Sequence, residues 1–299
     1  MLANEKNFIG GEMFFAKVKR YFELFSRFTN GYRMRNSLSI RGRLNLGGLS
    51  PTWNLSLGTV GTFGIDMPTL AGSFTSQGYF LAKDALSASD IKDFKAVFAA
   101  IRRARFSQVD KFAFADFVNK SIDAHHIPVN CSILRQISMI LGDTFAWVPQ
   151  ADMYLNVCTA MHRDNPCRDQ VFTGEDWDES ESKYGVIRVA TYLTTSAACG
   201  SQFIVSPRSH IGKGLGYELL DLNAGDLLLF DPRILHGSTG ARSEKQAMFL
   251  CYGKNNAHTE RTIRWLYRER SQDLGYSPLN RTLSDALRSH QLLFETDKP

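Results

Sequence analysis

The sequence predicts a mainly β domain with helices on its flank, an α+β fold built from short strands rather than a parallel sheet. Two observations predict it. From Phe145 onward five β-rich runs follow one another between Gly- and Pro-containing turns: WVPQADMYLNVC, GVIRVATYL, SQFIVSPRSH, DLLLFDPRILHG and QAMFLCYG. Short strands with such punctuation indicate a sandwich or barrel. Before them, the stretch beginning at Gly78 changes to helical periodicity.

Element by element, Tyr79–Ala82 is a short strand, and Ser87 or Ser89 can cap a helix running to about Arg103. Ile91, Phe94, Val97, Phe98 and Ile101 share one face of that helix. Further helices are predicted over Phe112–Ser121 and Cys131–Leu141. After Lys254 the chain is polar and Arg-rich, ending in a helix over Thr282–Phe294. Residues 29–75 are rich in Gly, Ser, Asn and Thr and predict an irregular arm. The domain boundary is accordingly drawn between a basic N-terminal arm (1–75) and a folded domain with a helical tail (76–299).

The arm holds the charge. Residues 1–43 carry nine Lys/Arg against three Glu, a net of +6, whereas the whole chain of 299 residues sums to +5. The body is therefore close to neutral, which argues against nucleic acid as a partner. Residues 12–28 read as an amphipathic helix with Phe14, Val18, Phe22 and Phe25 recurring at three- and four-residue steps. Such a helix either packs on the domain or lies on an anionic membrane surface as a peripheral contact. No apolar run reaches the ~20 residues a bilayer needs, and no secretory signal is legible. A cytoplasmic protein is expected, with peripheral membrane contact as the variant.

Five cysteines, spread without a Cys-x-x-Cys pair, exclude a disulfide framework and a structural zinc site as the organising feature. Cys158, His162 and Cys167 lack a second ligand pair at zinc spacing.

The chemistry lies elsewhere. His162 and Asp164 stand two apart directly after the run MYLNVC, so on extended chain their side chains point the same way. His236 follows DLLLFDPRIL at the end of a strand–turn–strand, and the cations Arg242 and Lys245 follow it before QAMFLCYG. A His-x-Asp alone is common by chance. Two His and one carboxylate on one face of an iron, however, leave three coordination positions open. A cation deeper in the pocket could then hold a carboxylate of a bound cosubstrate. Tyr154, on the preceding strand, could donate a phenol hydrogen bond to that carboxylate. His210, in PRSH, reads as a turn residue, and Arg168–Lys183 as a solvated acidic loop or a lid.

From Gly78 to Lys254 the chain resembles the phytanoyl-CoA dioxygenase-like branch of the Fe(II)/2-oxoglutarate-dependent oxygenases. The resemblance is carried by GYFLAKDALSASDI, MHRD, GVIRVATYL, GSQFIVSPRSH and AGDLLLFDPRILHGS, in that order. It implies a double-stranded β-helix (jelly-roll, cupin-like) core, and a dioxygenase using Fe(II), 2-oxoglutarate and O2. His162, Asp164 and His236 match the iron ligands. The family places an Arg at the start of the last core strand; Lys245, nine residues after His236, holds that register, while Arg242, six after, has the fork chemistry. Both are retained as anchors for 2-oxoglutarate. The implied reaction is hydroxylation, or another oxidation such as ring closure or desaturation, of a C–H bond, releasing succinate and CO2. An Asp at position 164, where Gly or Ala would admit chloride, favours hydroxylation over halogenation.

Two rival readings stand beside this one. His162-Arg163-Asp164 spells the protein-kinase H-R-D, but Asp169 stands where that motif needs Asn, and no Asp-Phe-Gly or Gly-rich loop accompanies it. The other is an inactive jelly-roll that binds a sugar or lipid. The substrate expected is a small molecule, a lipid or a sugar; a lipid-linked sugar and a natural-product scaffold are both compatible.

Overall fold

The computed structural model describes residues 70–164, 184–214, 216–241 and 244–294, all within the compact unit Gly64–Pro299. The predicted helix over 12–28, almost all of the arm, the acidic segment 168–183 and Arg242 lie outside the described residues.

Among the described residues nine strands form two antiparallel sheets. They are β1 (Tyr79–Ala82), β2 (Phe112–Ala115), β3 (Phe145–Leu155), β4 (Val186–Tyr192), β5 (Phe203–Ser206), β6 (Glu218–Leu220), β7 (Leu227–Phe230), β8 (Leu235–Ser238) and β9 (Gln246–Lys254). The larger sheet has the order β1-β7-β4-β9-β3-β2 and the smaller β6-β5-β8. Together they make the jelly-roll core, with helices packed against the larger sheet.

The alternation of side chains along each strand decides what faces what. Leu227 and Leu229 of β7 pack into the cluster shared with the helices, and Leu228 and Phe230 into the cluster between the sheets. This is why LLLF reads as a continuous apolar run: it is covered on both faces. In β4, Ile187 and Val189 take the helix side. Ala190 and Tyr192 take the inter-sheet side, and Arg188, in phase with them, sits between the sheets. In β3, Met153 and Leu155 join the helix-side cluster, which leaves Asp152 and Tyr154 on the other face.

The helices follow from local signals. Helix α1 (Leu70–Gln77) leads into β1. Helix α2 (Ala88–Arg105) starts with a capping box between Ser87 and Asp90 and buries Phe94, Val97, Phe98 and Ile101. Helix α3 (Cys131–Leu141) is capped by Asn130, whose side chain accepts from the amides of Ser132 and Ile133. Helix α4 (Ala257–Leu274) packs Ile263, Trp265 and Leu266 against Val148, Tyr184, Val186 and Cys251. The chain then turns at Gly275 and closes with α5 (Arg281–Ser289), which buries Leu283 and Leu287.

Three expectations are corrected. The helix expected over Phe112–Ser121 is instead β2 followed by one helical turn, Phe117–Lys120. Phe112 and Phe114 alternate inward and the strand pairs with β3, so a period of two prevails over the helical reading. Helix α1 begins inside the stretch read as irregular arm, residues 29–75, and ends just beyond it. The tail after Lys254 contains α4, whose apolar stripe is diluted by four arginines between residues 261 and 270, and the final helix ends at Ser289 rather than Phe294.

Among the described residues, no helix is long and apolar enough to cross a membrane.

Candidate metal centre

The segment after β3 lies alongside β8. His162 and His236 exchange both backbone hydrogen bonds, each 2.8 Å, and the Asp164 amide donates to the Pro232 carbonyl at 2.8 Å. This extra pairing fixes the two metal-ligand candidates of the first motif against the third. Gly237 makes the approach possible: a Cβ there would sit 2.9 Å from the Thr159 carbonyl oxygen and 3.1 Å from Met161 Sδ. The His-Gly dipeptide is thus a steric requirement of the site as well as a motif. Gly78 has a similar role at β1, where φ is +85° and a Cβ would meet His210 Nδ1 at 2.5 Å. His210 itself is buried in a 3-10 turn and bonds to the Thr75 carbonyl, outside the cluster.

His162, Asp164 and His236 converge. Asp164 Oδ1 is 3.5 Å from His162 Nε2 and 3.6 Å from His236 Nε2. Ligands about 2.1 Å from one ion and roughly 90–110° apart would be separated by about 3.0–3.4 Å, so the three fit a common ion with little adjustment. Among the described residues they form the group of His, Cys, Asp or Glu able to share a metal. Both imidazoles are also in the right tautomer. His162 Nδ1 donates to the Ala160 carbonyl at 2.7 Å and His236 Nδ1 to the Ile234 carbonyl at 2.9 Å. A carbonyl can only accept, so each Nδ1 carries the proton and each Nε2 keeps a lone pair for an ion.

Electrostatics favour the same state. Burial, then the proximity of His162, push His236 down to about 4 despite Asp164 beside it, so the ring is neutral at neutral pH. Burial alone would raise the Asp164 carboxyl, but His236, His162 and Arg188 outweigh it and hold the group well below the usual carboxylate range. His236 is further fixed by aromatic neighbours: the Phe203 ring stacks on it at 5.5 Å with 7° between planes, and Phe230 lies 4.7 Å away. The site therefore offers two imidazole Nε2 atoms, that of His236 on a neutral ring, and one carboxylate in one pocket.

Lys245 reaches the same pocket, as does Tyr154. The lysine is 3% exposed. Its Nζ donates to the Val157 carbonyl at 3.1 Å and lies 5.3 Å from the centre of the Tyr192 ring. Among the described residues no carboxylate pairs with it, and burial pushes its ammonium below the ordinary lysine range. Tyr154 stands on the wall with its ring edge-on to Phe249 at 5.3 Å. Of the two anchors left open by the sequence, Lys245 lines the pocket, and Arg242 is outside the described residues.

Sequence reasoning missed Arg188, Tyr192, Phe203 and Phe249, all of which line the pocket. Arg188 left a legible signal, a lone charge inside the apolar strand VIRVATY. The aromatic residues left none, because Phe and Tyr in short strands are as common in ordinary cores.

No protein-family model and no curated protein matches the chain. Solved structures do. The non-heme alpha-ketoglutarate-dependent epimerase SnoN from nogalamycin biosynthesis superposes with a TM-score of 0.51 at 16% identity, over 62% of this chain and 81% of that one. The carbocyclase SnoK from the same biosynthesis gives 0.50 at 15%, over 62% and 82%. The non-heme monooxygenase ThoJ, in its nickel complex, gives 0.50 at 16%, over 63% and 78%. These likenesses establish the fold. At such identities they assign no residue and no substrate, so the chemistry has to come from the site itself.

Proposed function

We propose that the protein is a non-haem Fe(II)/2-oxoglutarate-dependent oxygenase of the phytanoyl-CoA dioxygenase-like branch, acting on a C–H bond of a small-molecule, lipid or sugar substrate. The observation that carries the reading is the pairing of two features in one pocket. A His162–Asp164–His236 face is ready for an ion, and a buried Lys245 cation has no carboxylate partner among the described residues. A buried, unpaired cation is costly unless an anion arrives to meet it.

His162, Asp164 and His236 would hold iron(II), leaving three positions for exogenous ligands. Bound there with 2-oxoglutarate and O2, the metal would supply the oxidising power to remove a hydrogen atom from substrate, with release of succinate and CO2. The chain's own residues do the rest. Lys245 binds the distal carboxylate of the cosubstrate as a point charge. Tyr154 borders the pocket that receives it. Phe203 and Phe230 keep His236 oriented and water excluded. The aromatic walls formed by Tyr192, Phe203 and Phe249 suit an apolar substrate body. SnoN, SnoK and ThoJ are named as an epimerase, a carbocyclase and a monooxygenase. Hydroxylation is our reading here, with the fate of the substrate after hydrogen removal set by how it is held.

The inactive binding-module alternative is disfavoured by the intact donor set and by its tautomers. The test is succinate formation from 2-oxoglutarate with Fe(II), ascorbate and O2, across a panel of natural-product, lipid and sugar candidates. O2-dependent succinate that rises with one substrate class is the expected result. No succinate above the metal-only background with any of them would favour the binding module.

A further inference from the structure

We propose that Arg188 is the positioning residue of this centre, holding Oδ2 of Asp164 so that the carboxylate presents Oδ1 alone to the ion. The inference rests on the iron reading above.

Arg188 is 3% exposed on the inward face of β4. Its two amino ends are committed. Nη1 donates to the Gln150 carbonyl at 3.0 Å and Nη2 to Asp152 Oδ2 at 2.8 Å, while Asp152 Oδ1 accepts from the Tyr276 hydroxyl at 2.6 Å. These partners exist because β3 is irregular. Its register against β9 shifts between Val148 and Asp152, a stretch containing Pro149, which has no amide to give the ladder. The guanidinium is thus braced from β3 and from the segment following α4, and Phe249 covers it at 5.7 Å.

One donor is left. Arg188 Nε has no hydrogen bond, and neither does Asp164 Oδ2; both are buried, and they face each other at 3.3 Å. The two oxygens of Asp164 are therefore divided: Oδ1 looks to the two Nε2 atoms and Oδ2 to the arginine. A carboxylate with both oxygens free can chelate a divalent ion and take an extra coordination position. With Oδ2 held, Asp164 takes one, and three stay open, the number that a chelating keto acid and O2 need together. The same geometry separates the two pocket cations: Arg188 has its fork occupied by protein groups, whereas Lys245 has no carboxylate of its own among the described residues.

The test uses Co(II) as probe, with its visible d–d bands, on the full chain and on Arg188→Lys and Arg188→Met, each titrated with and without 2-oxoglutarate. Both variants are expected to bind Co(II) about tenfold more weakly than wild type, with altered bands, and to lose more, about 100-fold, in 2-oxoglutarate affinity of the Co(II) form. Lysine keeps the charge against Asp152 but not the Nε–H. A loss seen with Arg188→Lys therefore reports positioning rather than charge, and it decides the matter if Arg188→Met does not fold. Wild-type bands and wild-type 2-oxoglutarate affinity in Arg188→Lys would overturn the inference. So would a proportional fall of both affinities, the mark of a loosened fold. Wild-type protein that binds no Co(II) would overturn the iron reading and this inference together. Wild-type binding without the split overturns the inference alone.

Discussion

Alanine at His162 is expected to lower divalent-metal affinity by at least about 100-fold, beyond what loss of an outer partner costs, and to reduce succinate formation to background. The fold should survive. The His162 side chain is 23% exposed and makes its backbone bonds to β8 independently of the ring. His236→Ala should lose metal equally but also lower stability, by about 2–4 kcal/mol, because it opens a cavity between Phe203 and Phe230. Asp164→Ala should do so as well, since it leaves Arg188 Nε facing nothing. Isothermal titration with Co(II) and thermal melts of the three variants check both parts. Full metal affinity in His162→Ala would sink the assignment.

Lys245→Met is expected to have effects of opposite sign on binding and on stability. Removing the cation that meets the cosubstrate's distal carboxylate should raise the 2-oxoglutarate dissociation constant by about 30- to 1,000-fold, or roughly 2–4 kcal/mol. The metal-free protein should nevertheless become more stable, by about 1 kcal/mol, because a buried ammonium with no carboxylate partner among the described residues is replaced by an apolar chain of similar length. The pH dependence follows. The folded-state lysine value is depressed, so between it and about 10.4 the unfolded chain holds more protons than the folded one. Stability of the wild type should therefore rise with pH through that window, and the rise attributable to this group should vanish in Lys245→Met. Urea unfolding of both proteins from neutral to alkaline pH measures it. A destabilised Lys245→Met that binds 2-oxoglutarate normally would mean the lysine is a structural residue.

How much of this was legible follows from what each residue has to do. His162 and Asp164 could be read because a two-residue spacing on extended chain already places both on one side. The strands from β3 to β9 could be read because Gly and Pro separate them. β2 could not be told from a helix, since FAFADFV supports either period until a partner strand is known, and that partner is β3. Helix α4 was hidden because it covers only the ends of β3, β4 and β9 with a narrow stripe, Ile263, Trp265 and Leu266. Arg188 was hidden in a different way. Its partners, Gln150, Asp152 and Asp164, lie 38, 36 and 24 residues away, and no local pattern records a contact over such separations. Between Arg242 and Lys245 the sequence offers fork chemistry and register; the fold brings Lys245 to the pocket, and Arg242 lies outside the described residues.

The most direct measurement of the central claim is an anaerobic titration of the full-length protein with Fe(II) and then 2-oxoglutarate, followed by visible absorption. The iron–2-oxoglutarate reading predicts a weak charge-transfer band that appears only with both present, saturates near one equivalent of iron, and is absent from His162→Ala. No band in the wild type, or one of equal strength in His162→Ala, would contradict it.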